Sequence, residues 1–204
     1  MSSPPQFIDS HCHVDAADFD DDRELMLKRA ADAGVSALIV VGASASLEEA
    51  QATVEFAGRY PNMYATVGVH PHEACKLDRS WWPQLCDLAA RDDVVAVGET
   101  GLDFYYDSSP RAEQVDRFVD HVALARKLGK PLICHIRDAH DEATEVLEEH
   151  AAGQVEPFIH CFTGTPVNAR KYAELGFYVS FSGIVSFKGK TARPVREAVS
   201  EVPH

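Results

Sequence analysis

The sequence has few basic residues, because 19 lysines and arginines stand against 32 aspartates and glutamates and the net charge is −13. A surface of that sign repels polyanions, which disfavours a protein that coats duplex DNA along a broad basic face. Any anionic ligand must therefore be held by positive charge gathered locally at a small site.

The sequence also lacks a leader pattern and a long apolar run. Residues 1–10, MSSPPQFIDS, contain no basic segment followed by an apolar one, and the apolar stretches elsewhere are only as long as strands. These absences predict a soluble, cytoplasmic protein with no membrane segment.

Cysteine pairing is equally unsupported. The five cysteines form no C-x-x-C pair, and their odd number leaves at least one unpaired in any intramolecular scheme, so reduced thiols are expected. No repeat, low-complexity tract or Pro/Gly/Ser-rich linker interrupts the chain. A length of 204 residues with 46% hydrophobic content then predicts a single domain over residues 1–204.

Short β-rich runs alternate with helical patterns along the chain. The strands are predicted at residues 6–11, 37–41, 63–69, 94–98, 131–135, 157–160 and 177–181. This alternation is typical of parallel βαβ units.

Local residue choices predict the helix ends between these strands. Ser109-Pro110 and Thr165-Pro166 are expected as an N-cap followed by a first-turn proline, and Gly129 as the residue after a helix C-terminus. Residues 71–80 form the longest irregular-looking stretch and could help to wall a pocket.

The first strand ends in DSHCH, residues 9–13. Extended geometry turns His11 and His13 to one side and Cys12 to the other. Two neighbouring imidazoles can bind one divalent metal ion, although histidines on strands are also often purely structural. The motif alone leaves both interpretations open.

Residues that could bind a metal ion or a polar ligand occur at the C-terminal ends of five predicted strands. These residues are His11 and His13, His70 and His72, Glu99, His135, and His160. An open doubly wound sheet would leave distant strand ends too far apart to share a site, whereas a closed barrel brings all of them to one rim. The pattern therefore predicts an α/β fold of the TIM (β/α)8-barrel type.

Glu99 stands between two glycines in GETG, where its carboxylate could reach into the barrel and bridge two ions. The alternative is an ordinary acidic loop residue.

Cys12, Cys134 and Cys161 each adjoin a predicted histidine ligand, so alternation makes them small buried core residues rather than zinc ligands.

Five motifs occur in order between Phe7 and about Gly183, namely DSHCH, GVHPH, GETGLD, CHIRDA and HCFTG. In this combination the sequence resembles the TatD-type metal-dependent hydrolases and deoxyribonucleases. The resemblance implies a TIM barrel, a site for two divalent metal ions, and hydrolysis of DNA phosphodiester bonds by a 3′–5′ exodeoxyribonuclease. Its expected substrates are DNA ends or single-stranded DNA.

The resemblance also implies roles for individual residues. The implied metal ligands are His11, His13, Glu99, His135 and His160. Glu99 would bridge the ion held by His11 and His13 to the ion held by His135 and His160, and it is the candidate catalytic residue. Histidine ligands favour Zn, Mn or Ni, whereas phosphoryl chemistry often uses Mg, so the metal stays open.

The implied substrate-binding residues are His70, His72 and Arg137. A planar guanidinium recognises phosphate oxygens in a forked geometry, and histidines can donate hydrogen bonds to them. The alternative for Arg137 is an exposed ion pair with Asp138 at a helix start.

The sequence departs from the family pattern at its end. Relatives continue into an eighth strand with an E-T-D-x-P segment, whereas this sequence stops at residues 201–204 after about seven βα units. We therefore expect a barrel domain that is incomplete at its C-terminus, with open edges suited to self-association and impaired activation of the attacking water. Two alternatives are an amidohydrolase-like hydrolase of small amides or esters and a noncatalytic metal-binding fragment.

Overall fold

A computed structural model describes residues 6–151 and 153–203 of the protein, in which parallel strands alternate with helices. The strands are β1 Phe7–Cys12, β2 Val35–Val40, β3 Met63–Val67, β4 Val94–Asp103, β5 Leu132–Arg137, β6 Pro157–His160 and β7 Tyr178–Val179. The α-helices are α1 Arg23–Asp32, α2 Leu47–Ala57, α3 Trp82–Ala89, α4 Arg111–Leu128, α5 His140–His150, α6 Pro166–Glu174 and α7 Arg193–Ala198. None of the helices in these ranges is both long enough and apolar enough to cross a bilayer.

The strands form one sheet in chain order, from β1 to β7, and every neighbouring pair is parallel. The sheet curls so that its C-terminal strand ends face a common rim, which confirms the predicted α/β fold of the TIM-barrel type. Within the described residues, β1 and β7 are the edges of the sheet and do not pair with each other.

The fourth strand is longer than the sequence predicts. It was expected to end at Gly98, but β4 continues to Asp103 because its ladder with β5 persists from the Thr100–Cys134 pair to the Asp103–Arg137 pair. The prediction of an irregular stretch at residues 71–80 was also wrong, since it contains two 3₁₀ helices, Pro71–Lys76 and Arg79–Trp81.

Two of the three predicted helix ends are confirmed. Thr165 begins α6 with a capping box, in which its hydroxyl accepts the amide of Asn168, and Gly129 follows α4 with a φ of 63°. The third was wrong, because Pro110 occupies the position before α4 and Ser109 does not cap that helix. The Ser109 hydroxyl instead donates to the carbonyl of His72, 2.8 Å away.

The hydrophobic core lies between the sheet and its helices. Among its fully buried side chains are Leu85 of α3, Phe118 of α4, Leu132 of β5 and Ile159 of β6. Because parallel strands covered by helices bury their outward faces, this layer holds the strand ends at a fixed spacing.

The three cysteines beside predicted ligands differ in placement. Cys12 and Cys134 are buried in the core, as predicted. Cys161 is not, because its φ of 45° turns the chain out of strand geometry directly after β6. Its sulfur lies 2.8 Å from the Ser182 hydroxyl and is only half-buried.

Candidate metal centre

The structure brings together histidines and a glutamate from the ends of four strands. Nε2 of His11 lies 3.4 Å from Oε2 of Glu99, and Nδ1 of His135 lies 3.2 Å from Oε1 of the same carboxylate. The ring of His160 stacks on His11 with centroids 3.3 Å apart and planes 6° from parallel. The rim expected from the strand-end pattern is therefore formed around Glu99.

His11, near the end of β1, and His13, directly after that strand, lie on the same side of the chain. Their ring centroids are 5.2 Å apart, whereas the Cys12 thiol points to the core and donates to the carbonyl of Ile39. Single ligand atoms of His11, His13 and Glu99 lie within 4.8 Å of one another, a spacing that one cation can satisfy.

Two glycines allow Glu99 to reach this position. Gly98 has a φ of 125°, and a Cβ atom there would collide with the carbonyl oxygen of Ile133 in β5. Gly101, with a φ of 140°, approaches the His135 carbonyl in the same way. Because neither residue has a side chain, β4 lies close against β5 and carries Glu99 to His135.

A second group of ligand atoms surrounds His135. Nε2 of His135 lies 3.0 Å from Oδ2 of Asp103, so this imidazole stands between two carboxylates. His70, Glu99 and His135 meet the same 4.8 Å spacing, and so do His72, Asp103 and His135. Glu99 thus belongs to two groups that could each hold an ion.

Asp103 is the site residue that the sequence interpretation missed. It is fully buried, and its Oδ2 lies 2.8 Å from Nε2 of His72. A signal was present, because Asp103 stands four residues after Glu99, and an uninterrupted strand would put both on one face. That signal was lost when β4 was predicted to end at Gly98.

The ionisation of Glu99, Asp103, His70 and His160 matches a cation-binding donor set, whereas His135 departs from it, because the Glu99 and Asp103 carboxylates raise its pKa against the effect of burial. Burial opposes the charge on Glu99, but hydrogen bonds from His11 and His135 hold its pKa well below the usual range. Burial likewise opposes the charge on Asp103, and the amide of Tyr106 with His72 and His135 lowers its pKa. Burial lowers the pKa of His70 and of His160 to about 4, so both rings are neutral at pH 7. Neutral imidazoles and ionised carboxylates are what a divalent metal ion requires.

Buried ring nitrogens without hydrogen-bond partners also support a cation-binding site. Nδ1 of His11 and Nδ1 of His160 are buried and have no hydrogen-bond partner among the described residues. A buried polar atom without a partner is unfavourable by about 1–3 kcal/mol, and a bound cation would relieve that cost. The residues at the rim therefore fit a metal ion, while the assignment of His160 to the second ion stays a prediction.

The predicted substrate-binding residues lie beside Asp103. His70 accepts the amide of His72 at Nδ1, and the His72 ring reaches Asp103. The guanidinium of Arg137 lies 3.9 Å above the ring of Tyr105 and forms no salt bridge with the described residues, so the alternative ion pair with Asp138 is absent there. Arg137 is left with free donors on the same strand face as His135.

Comparison of the sequence with known proteins identifies a family and several relatives. Residues 8–204 match the family described as TatD related DNase. The sequence is 36% identical to the metal-dependent hydrolase YabD of Bacillus subtilis, over 97% of this chain and 76% of that protein. It is 38% identical to the 3′–5′ ssDNA/RNA exonuclease TatD of Cronobacter sakazakii, over 87% of this chain and 67% of that protein.

A solved structure agrees with the fold. The YjjV TatD homologue of Escherichia coli K12 superimposes with a TM-score of 0.85 and 30% identity, covering 97% of this chain and 75% of that one.

Proposed function

The chain belongs to the TatD family of metal-dependent hydrolases, and we propose that it removes nucleotides from the 3′ ends of single-stranded DNA. The relative from Cronobacter sakazakii, named as a 3′–5′ ssDNA/RNA exonuclease, supports this substrate class. The structural support is the position of Glu99, which presents a different carboxylate oxygen to His11 and to His135.

That position suits a carboxylate that bridges two divalent ions. In this proposal His11 and His13 would hold one ion with Glu99, and His135 and His160 would hold the second. The ions, when bound, supply Lewis acidity to the scissile phosphate and to the attacking water. Asp103 fixes Nε2 of His135 and so leaves Nδ1 of that ring beside Glu99.

The charge distribution supports recognition of ends over intact duplex. The net charge of −13 repels a long phosphate backbone, but a terminal nucleotide needs positive charge only at the rim. Arg137 supplies hydrogen-bond donors there, and a guanidinium that forms no salt bridge with the described residues is free to bind phosphate.

The test measures where and what the protein cuts. Metal-free protein is loaded separately with Mn²⁺, Mg²⁺, Zn²⁺ or Ni²⁺ and given a 5′-labelled single-stranded oligodeoxynucleotide. We expect stepwise shortening from the 3′ end, loss of that activity in Glu99→Gln, and no loss in the control Glu149→Gln on the exposed face of α5. Efficient internal cutting of closed circular duplex DNA would contradict the proposal.

Two further kinds of substrate test the preference for DNA and the alternative functions. An RNA oligonucleotide of the same length measures discrimination at the sugar. A panel of cyclic amides and small esters tests the amidohydrolase-like alternative, and hydrolysis of these without any nuclease activity would favour it. Metal binding without hydrolysis of any substrate would favour the noncatalytic alternative.

Self-association stays a prediction. The edge strands carry exposed apolar side chains, with Phe7 54%, Ile8 64% and Tyr178 58% exposed. Edges of this kind are where a second copy would pair.

A further inference from the structure

A pair of exposed tyrosines follows β4 at the rim of the site. Tyr105 and Tyr106 are 57% and 58% exposed, and their rings meet edge to face with centroids 4.8 Å apart. Neither ring is needed to fill the core, and a core role would not leave more than half of each in solvent.

The turn that presents these rings is hydrogen-bonded to the candidate metal centre. Oδ1 of Asp103 accepts the backbone amides of Tyr105 and Tyr106 at 3.0 and 2.9 Å, while Oδ2 of the same carboxylate contacts His72 and His135. The ring of His72 meets Tyr106 edge to face at 5.3 Å. The two tyrosines are therefore held at a fixed distance from the atoms proposed to act on the phosphodiester.

Arg137 completes the arrangement from the neighbouring strand. Its guanidinium lies 3.9 Å over the ring of Tyr105 and 4.7 Å over the ring of Tyr106. Stacking on aromatic faces orients the guanidinium without neutralising its charge. Within the described ranges no carboxylate pairs with Arg137, so its donors remain available to an anion.

We propose that Tyr105, Tyr106 and Arg137 form a nucleotide-binding subsite, in which the tyrosine rings stack on a nucleobase and Arg137 binds an adjacent phosphate. This inference rests on the proposed function, because it names how a single-stranded nucleic acid is held. Aromatic rings beside a cation are the combination by which proteins bind single strands, since every base has a π-face and every linkage has a phosphate. The subsite is expected to require an unpaired base and to show little preference among bases.

The test compares a normal strand with one that lacks bases. Binding of fluorescein-labelled oligothymidylate and of an abasic oligonucleotide of equal length is measured by fluorescence anisotropy on the metal-free protein. In the wild type, oligothymidylate should bind more tightly than the abasic strand. In Tyr105→Ala and Tyr106→Ala that preference should fall on the order of tenfold, which is the loss expected for one stacked base.

Matched variants separate stacking from bulk and from general surface effects. Tyr105→Phe and Tyr106→Phe keep the rings and should keep the preference, whereas Tyr105→Leu and Tyr106→Leu keep apolar bulk and should lose it. Tyr178→Ala, which removes a ring of equal exposure on β7, should change nothing. The leucine variants also guard against an alanine variant that fails to fold.

Kinetics distinguish the two proposals. When loaded with metal, the alanine and leucine variants of Tyr105 and Tyr106 should show a KM for oligothymidylate that rises more than kcat falls. If the wild type hydrolyses DNA but the tyrosine variants keep the full preference for bases, the subsite is refuted and the nuclease function stands. If the wild type neither binds nor hydrolyses DNA, both are refuted.

Discussion

His121 supports the segment that carries His70, although it lies outside the rim itself. Its Nε2 accepts the backbone amide of Val69 at 3.1 Å, and its Nδ1–H donates to the carbonyl of Arg117 at 2.7 Å. Both ring nitrogens are thus used and only the neutral tautomer fits. Burial lowers the pKa of His121 to about 4 and outweighs the hydrogen bond to the Arg117 carbonyl, which acts to raise it, so the ring is neutral at pH 7.

Substituting this histidine tests the support directly. His121→Phe keeps an aromatic ring but leaves the buried amide of Val69 without an acceptor, and we expect the free energy of unfolding to fall by about 2 kcal/mol. Urea denaturation measures the change. His150→Phe, at the end of α5, is the control and should stay within about 0.5 kcal/mol of the wild type; an equal loss in both variants would refute the role.

Asp103 orients His135 and is expected to control metal affinity. Asp103→Asn removes the charge that holds Nε2 of His135 while keeping the side-chain volume. Loss of a carboxylate that orients a ligand histidine typically lowers metal affinity by about 10–100-fold. Titration calorimetry with Mn²⁺ measures the change against Asp116→Asn on α4, which should bind as the wild type does. Unchanged affinity in Asp103→Asn would show that His135 is oriented by other contacts.

At the scale of the element, β4 depends on its glycines. Gly98→Ala places a Cβ against the Ile133 carbonyl at a φ of 125°, so strain and collision together should cost about 3 kcal/mol or more. The displaced strand should also move Glu99 and reduce the metal content measured by mass spectrometry.

The control for that variant is Gly129→Ala after α4. Its φ is also positive, at 63°, but a Cβ there would meet nothing within 4 Å. We expect a loss of about 1 kcal/mol from backbone strain alone and normal metal content. Equal effects of both substitutions would show that close approach to β5 is unimportant.

The residues at the ends of the strands are the part of the candidate site that could be predicted from the sequence. The convergence of His11, Glu99, His135 and His160 could be predicted, because alternation and the parallel βαβ pattern place strand ends on one rim. The alternation of side chains along each strand is a local pattern, so it can be read from the sequence alone.

Asp103 and the Tyr105–Tyr106 turn could not be placed in this way. Gly98 and Gly101 carry the usual signature of a turn, yet here they allow close contact between two strands. That contact depends on β5, which lies more than 30 residues further along the chain. The stacking of His160 on His11 depends in turn on the curvature of the whole sheet.

At the scale of the whole molecule, four histidines, of which His121 is buried and three are half-buried, are held in their neutral form. Burial lowers the pKa values of His70, His121, His140 and His160 to about 4, from an ordinary value of about 6.5. Between these pH values the unfolded chain binds more protons than the folded one, so stability rises with pH. Each group can contribute at most about 1.4 kcal/mol per pH unit in that window.

We therefore expect the metal-free protein to lose stability as pH falls from about 6.5 to about 4. His135 works in the opposite direction, because although burial opposes its charge, the Glu99 and Asp103 carboxylates raise its pKa, so its contribution is lost as pH rises. Thermal unfolding followed by circular dichroism in the presence of a chelator measures the sum. A Tm that stays constant over this interval would contradict the assignment of four neutral rings.

Self-association through the edge strands β1 and β7 of the described residues stays a prediction, and it would make the sedimentation coefficient depend on protein concentration. Sedimentation velocity should show a rising sedimentation coefficient for the wild type and a smaller rise for Ile8→Lys, because a charged side chain on an edge strand opposes pairing. Tyr64→Lys on β3 is the control, since Tyr64 is 38% exposed but β3 pairs with a neighbouring strand on both sides. A constant coefficient for the wild type would rule out pairing through β1 or β7 in solution.

Each strand from β2 to β7 of this sheet finds a hydrogen-bonding neighbour in the strand made just before it. During synthesis, a newly emerged βα unit therefore has its docking surface already formed, and within the described sheet each strand from β2 to β7 can pair as soon as it is made. A fold laid down in this order can grow by addition at one end, which keeps the stretch of exposed apolar chain short while the protein is being made.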